Sequence, residues 1–126
     1  FRWATAGPVG PLLAHPDGTL EPLHPVATPC AGSPALRLPA AEAERRLEPG
    51  QRLLLVSDGA LDSVDANGHA LGLDGLRDAL RRSAGRSAAV TVHELERTIH
   101  ARSVDSLMDD VALVVLAPHQ EKPSFY

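Results

Sequence analysis

Two aliphatic runs, each with carboxylates at one end, constrain this chain more than any other feature. The first, Leu53-Leu54-Leu55-Val56, stops abruptly on Ser57-Asp58-Gly59; the second, Val111-Ala112-Leu113-Val114-Val115-Leu116, is entered through Asp109-Asp110. Unbroken aliphatic runs of this length predict strands covered on both faces. An acid at the mouth of such a strand stands on a rigid support. Gly59 is expected to let the backbone turn sharply and to keep the space before the Asp58 carboxylate free of a side chain. The neighbouring acids Asp109 and Asp110 repel each other unless something positive compensates. Singly, each feature reads as well as an ordinary turn or a solvated strand cap. Together they predict carboxylates converging on a hard divalent cation, and all-oxygen ligands favour Mg²⁺ or Mn²⁺ over zinc.

The 126 residues allow one domain with a real core. Only 3% of the chain is aromatic against 44% hydrophobic, so that core has to be made of Leu, Val and Ala. A net charge of −4 leaves no basic surplus for neutralising phosphates, which argues against a nucleic-acid partner. Arg81-Arg82 and Arg86, the one basic cluster, read as the solvated end of a helix. The single cysteine, Cys30, precludes an intrachain disulfide and fits a reducing compartment. No apolar stretch reaches the ~18 residues that span a bilayer, and no leader opens the chain. A soluble, cytoplasmic protein is therefore expected. The opening Phe1-Arg2-Trp3-Ala4, without Met and already strand-like, is expected to continue from an upstream portion outside this chain.

Residues 1–6 read as a strand. Asp17-Gly18, between Leu12-Leu13-Ala14 and Thr19-Leu20-Glu21-Pro22-Leu23, predicts a hairpin. The Pro- and Gly-rich stretch 24–35 reads as an irregular loop. Segment 39–47 stays open: its Ala, Glu and Arg residues favour helix, yet it runs straight into the turn Glu48-Pro49-Gly50-Gln51 before the strand 52–56. Beyond a turn-rich loop, a helix is predicted from Gly72 or Asp74 to about residue 82, with Leu73, Leu76 and Leu80 on one face. A second helix is expected to take Thr91 as N-cap, with Glu94 at capping-box spacing and Val92, Leu95 and Ile99 as its apolar stripe.

Other chemistries fail on spacing. His93-Glu94-Leu95-Glu96-Arg97 opens like a zinc-protease helix, but Arg97 stands where the second histidine belongs. A nucleophile elbow needs a glycine two residues before its serine, and Leu55 occupies that place before Ser57. No glycine leads into a phosphate-cradling G-K-[ST].

The order Pro49-Gly50-Gln51-Arg52-Leu53-Leu54-Leu55-Val56-Ser57-Asp58-Gly59, then Asp62, then Leu71-Gly72, then Asp109-Asp110-Val111-Ala112-Leu113 resembles the C-terminal half of a SpoIIE-type serine phosphatase. These enzymes are the bacterial branch of the metal-dependent, protein phosphatase 2C-like (PPM) protein phosphatases. Trp3-Ala4-Thr5-Ala6-Gly7-Pro8 with Pro11-Leu12-Leu13 is similar to the family's A-N-A-G-H-x-P-P-L-L strand pair, so the resemblance covers nearly all of residues 1–116. It implies an α+β fold, part of a four-layer α-β-β-α sandwich with antiparallel sheets whose N-terminal portion is missing. Residues 1–117 would be the C-terminal portion of the domain and 118–126 a polar tail. In the family, a binuclear Mn²⁺ or Mg²⁺ centre activates a bridging water for in-line attack on phosphoserine or phosphothreonine, so no side-chain nucleophile is needed. Carried across, Asp58 and Asp109 are metal ligands, Asp110 and Asp62 support the site, and Gly59 permits close approach. The resemblance further implies a phosphorylated protein substrate of the anti-sigma-factor-antagonist kind and sensor domains upstream.

The sequence also departs from the family pattern. Nothing matches the family's upstream D-V-x-G-x-G ligand strand, so the chain alone is expected to bind metal weakly and not to turn over. Thr5 and Pro8 replace the Asn and His of A-N-A-G-H, Ser57 stands for the usual Thr, and Asp62 for the usual Glu. Two rival readings follow from the same residues. One is a catalytically inactive pseudophosphatase of the same fold that binds a partner. The other is a response-regulator-like α/β domain with Asp58 as phosphoacceptor.

Overall fold

The computed structural model of the protein describes residues 1–5, 10–23, 32, 42–102 and 110–118. The expected loop 24–35 (apart from Gly32), the polar tail beyond residue 118, Pro8 and Asp109 lie outside them. The aliphatic run forms strand β5, Arg52–Val56, and every other large element is placed by it. On one side β5 pairs antiparallel with β2, Leu12–Ala14, which pairs in turn with β3, Leu20–Pro22; on the other side it pairs antiparallel with β6, Leu113–Leu116. The sheet order is β3-β2-β5-β6. Because all these pairings are antiparallel, the parallel α/β architecture of the response-regulator reading is ruled out for this sheet.

The hairpin joining β2 to β3 is the one expected from Asp17-Gly18. The His15 N–H donates to Thr19 O at 2.9 Å, and the Thr19 N–H donates to the Asp17 carboxylate at 2.8 Å. Gly18 sits at φ +85°, a backbone conformation that L side chains rarely adopt, and it lies against the Arg81 side chain. Gly18→Ala is expected to destabilise the protein by about 1–2 kcal/mol; thermal unfolding of the variant measures it.

Side chains alternate along β5. Leu54 and Val56 face two helices, α2 (Gly72–Arg82) and α3 (Ala88–Arg102), and pack with Leu12, Ala14, Leu76, Ala79, Leu80, Leu95 and Ile99 into an almost purely aliphatic core. Arg52 points the same way and is buried at the α2–α3 junction. Leu53 faces the opposite side, where it packs with Leu13, Leu23, Phe1, Trp3 and Leu47 beneath a small ribbon. That ribbon pairs β1, Arg2–Trp3, with β4, Ala43–Glu44.

The structure corrects several expectations. Segment 39–47, open on sequence, contains a strand over its described part: β4 is captured by β1, and the Phe1 nitrogen donates to Arg45 O at 2.8 Å. The cap of α3 is Ser87, whose hydroxyl accepts from the Val90 N–H at 3.3 Å. Thr91 lies inside the first turn with its hydroxyl buried, donating to Ser87 O and accepting from Arg52. The last strand begins at Leu113, not at 111. Two-sided burial of the aliphatic runs also fails. Leu55, Val114 and Leu116 are 43%, 47% and 49% exposed and form one open apolar stripe on the face that the β1–β4 ribbon leaves uncovered.

Candidate metal centre

At its C-terminal end β5 delivers the chain straight into a four-residue helix, α1, Asp58–Leu61. Ser57 keeps the extended backbone of the strand (φ −73°, ψ 158°), and Asp58 is the first helical residue. An acid in the first turn of a helix is favoured by the exposed N–H groups there, and the Asp58 carboxylate accepts from the Gly59 N–H at 3.0 Å. Asp58 is exposed, and no cationic side chain among the described residues pairs with it. Asp62, the C-cap, is exposed one turn later and its N–H donates to Asp58 O at 2.8 Å. Residues four apart share a helix face, so α1 presents two carboxylates on one side.

Gly59 does not make the sharp turn expected of it. It is helical and buried within α1, and the change of direction is made at Ser57 and Asp58. With Ala60, fully buried beside it, the glycine lets α1 lie close against the core. The Ser63 hydroxyl pins the helix from the other end, donating to Gly59 O at 3.0 Å. Asp65 serves the following loop. The His69 and Asn67 N–H groups donate to its carboxylate and hold it below the usual carboxylate range.

Asp110 reaches this corner through strand register. Val56 stands opposite Leu113, which sets Ser57 opposite Ala112 and brings the entry to β6 to the exit of β5. The Ser57 N–H donates to Ala112 O at 3.0 Å. The Ser57 hydroxyl accepts from the Ala112 N–H at 2.9 Å and donates to Asp110 O at 3.2 Å. Asp110, exposed, is thus tied through its backbone to the residue preceding Asp58. Asp109 lies outside the described residues.

The exposed Asp58 carboxylate, with no cationic partner among the described residues, suits a hard divalent cation in donor type. It does not suffice alone: among the described residues no three His, Cys, Asp or Glu side chains are grouped to hold a metal. Of the residues that open like a zinc-protease helix, His93 is exposed on α3 and Glu94 pairs with Arg82 and Arg97. Beside the corner, an open groove of about 440 Å³ follows the uncovered sheet face, lined among others by Trp3, Thr5, Pro11, Leu55, Ser57 and Val114. Sequence reasoning treated Ser57 only as a failed nucleophile and a substitute for Thr. Its bridging role had one visible signal, a hydroxyl residue wedged between a buried strand and an acid.

The sequence profile of the stage II sporulation protein E (SpoIIE) family matches residues 1–119. No curated protein sequence matches the chain. Among solved structures, the SiaA-PP2C domain of Pseudomonas aeruginosa superposes with a TM-score of 0.72 at 20% identity, over 94% of this chain and 46% of that one. The RsbU and RsbW domains of Rv1364c from Mycobacterium tuberculosis superpose with a TM-score of 0.68 at 22% identity, over 95% of this chain and 34% of that one. RsbX in complex with magnesium gives a TM-score of 0.55 at 20% identity, over 90% of this chain and 47% of that one. Likeness at these identities is a likeness of fold, and the chain spans about half, or less, of the length of each structure it matches.

Proposed function

Since the chain belongs to the SpoIIE family, we propose that it is the C-terminal portion of a metal-dependent protein serine/threonine phosphatase domain. In the complete protein, this domain would hydrolyse phosphoserine or phosphothreonine on a bacterial signalling protein. The observation that carries the reading is the corner itself: an exposed Asp58 on the rigid end of β5, with no cationic partner among the described residues, beside the approach to β6 that begins at Asp110. The α+β architecture with an antiparallel sheet agrees with it.

Asp58 and Asp109 would hold Mn²⁺ or Mg²⁺, with the remaining ligands supplied from outside the described residues. When bound, a pair of such cations supplies Lewis acidity toward a phosphoryl oxygen and lowers the pKa of water. Asp62 and Asp110 add negative charge beside the site and so favour its loading. Gly59, buried and without a side chain, leaves approach to the Asp58 carboxylate unobstructed. No side chain is required as nucleophile, and the sequence around Ser57 is not that of a serine elbow. The family resemblance supports a cytoplasmic phosphoprotein of the anti-sigma-factor-antagonist class as substrate, and sensor domains upstream. No helix among the described residues is long and apolar enough to cross a membrane.

Chelation tests the reading. In the complete protein, removing divalent cations with EDTA is expected to lower hydrolysis of p-nitrophenyl phosphate and of a phosphoserine peptide by at least about a hundredfold, and added Mn²⁺ or Mg²⁺ to restore it. Activity indifferent to chelation would refute the metal assignment. A protein that binds the phosphopeptide but turns it over with neither cation would instead be the partner-binding pseudophosphatase.

A further inference from the structure

We propose that Ser57 is a positioning residue for this metal corner: its hydroxyl replaces its own carbonyl in the last rung between β5 and the entry to β6, and so locks Asp58 against residues 110–112. The inference rests on the phosphatase reading and adds a residue to it. In an antiparallel hydrogen-bonded pair, the two residues exchange both N–H···O=C bonds. Ser57 and Ala112 make only one of them, Ser57 N–H to Ala112 O at 3.0 Å. The return bond is missing because α1 has claimed the Ser57 carbonyl, which accepts from the Ala60 N–H at 3.2 Å. The Ser57 hydroxyl fills the gap, accepting from the Ala112 N–H at 2.9 Å while donating to Asp110 O at 3.2 Å.

A serine in this place ordinarily caps the helix, its oxygen accepting from the second or third helical N–H. Ser57 is the N-cap of α1 but makes no such bond. Its donor and acceptor capacity points across the sheet instead. The hydroxyl therefore resolves a conflict built into the chain, in which one residue must both end a ladder and begin a helix. Without it, the Ala112 N–H loses its acceptor and the entry to β6 is no longer fixed relative to Asp58. A threonine can make the same two bonds, whereas valine, equal in shape to threonine, can make neither.

The test compares Ser57→Ala, Ser57→Thr and Ser57→Val with the parent in the complete protein. The readouts are Mn²⁺ affinity by electron paramagnetic resonance, amide exchange over residues 110–116, and KM and kcat on a phosphoserine peptide. Losing an outer partner of a metal ligand typically weakens metal binding by about 10–100-fold. Ala and Val are expected to raise the Mn²⁺ Kd by about tenfold or more, to speed exchange at Ala112, and to lower kcat at limiting Mn²⁺ with KM unchanged. Thr is expected to restore all three. A purely structural serine would change the folded fraction without moving the Kd of the folded molecules. Should Ser57→Ala fail to fold, the Thr–Val pair decides. Parent-like Mn²⁺ affinity in the Ala or Val variant overturns the inference while leaving the phosphatase reading intact. A parent protein that binds no Mn²⁺ overturns both.

Discussion

Asp58→Asn in the complete protein is expected to lower Mn²⁺-dependent hydrolysis of p-nitrophenyl phosphate by at least about a thousandfold, the several kcal/mol that a correctly held cation contributes, while leaving the fold in place. The two effects separate because of where Asp58 sits. It is exposed, and its carboxylate accepts from the Gly59 N–H. Asparagine keeps the size of the side chain and the carbonyl oxygen that receives that bond. What it loses is the negative charge, which contributes about 0.3–1 kcal/mol to the first turn of a helix. Thermal unfolding is therefore expected to move by only a few degrees while turnover collapses. Asp109→Asn is expected to match it. Asp62→Asn, one turn along α1, is expected to have a smaller effect, because Asp62 contributes charge beside the site and is not proposed as a ligand. Full activity in either the Asp58 or the Asp109 variant would remove the ligand assignment.

What could be read from the sequence was whatever local chemistry decides. Strand 52–56 is bounded by a Pro-Gly turn and by Ser-Asp-Gly, and β5 has those limits. The Asp-Gly hairpin formed, and the leucine spacing located the helix ending at residue 82. The elements misread or left open are those decided by a distant partner. Segment 39–47 carries helix formers, yet β1 draws Ala43–Glu44 into a ladder some forty residues away, and the gain from that pairing outweighs a propensity difference of tenths of a kcal/mol per residue. Thr91 has capping-box spacing to Glu94, but Arg52 engages its hydroxyl from β5 and Ser87 does the capping. The aliphatic runs promised cover on both faces. One cover, the α2–α3 pair, is present, and the stripe Leu55–Val114–Leu116 has none among the described residues. The acids of the candidate site were legible as a motif. Only strand register showed that the exit of β5 and the entry to β6 share a corner, and the Ser57 bridge needed coordinates.

Arg52→Ala is expected to destabilise the protein by about 3–5 kcal/mol, and the reason lies at the other end of the strand that carries Asp58. Arg52 is 2% exposed, and no carboxylate bonds to its guanidinium among the described residues. One terminal nitrogen donates to Ser83 O at 3.1 Å, Ser83 Oγ at 2.8 Å and Thr91 Oγ1 at 2.9 Å; the other donates to Leu80 O at 2.9 Å. Two of these acceptors are carbonyls at the C-terminal end of α2, where the aligned peptide dipoles favour a cation. Burial pulls the guanidinium below its ordinary pKa, but arginine stays charged in proteins. The side chain thus ties β5, α2 and the first turn of α3 together from inside the core. Truncation leaves buried carbonyls with fewer donors, each costing about 1–3 kcal/mol, and opens a cavity as well. The sum is comparable to the whole stability of a marginal domain. Arg52→Met separates the two contributions: it refills the volume and leaves the acceptors unpaired, so about half the loss is expected to remain. Urea unfolding measures both variants. A Met variant within about 0.5 kcal/mol of the parent would mean that the four bonds add nothing net, leaving packing alone to explain the site. Because Arg52 and Asp58 stand six residues apart along an extended chain, roughly 20 Å, the folded fraction of the Met variant is expected to keep the parent's turnover per molecule. The same strand would then be shown to anchor the fold at one end and carry the chemistry at the other.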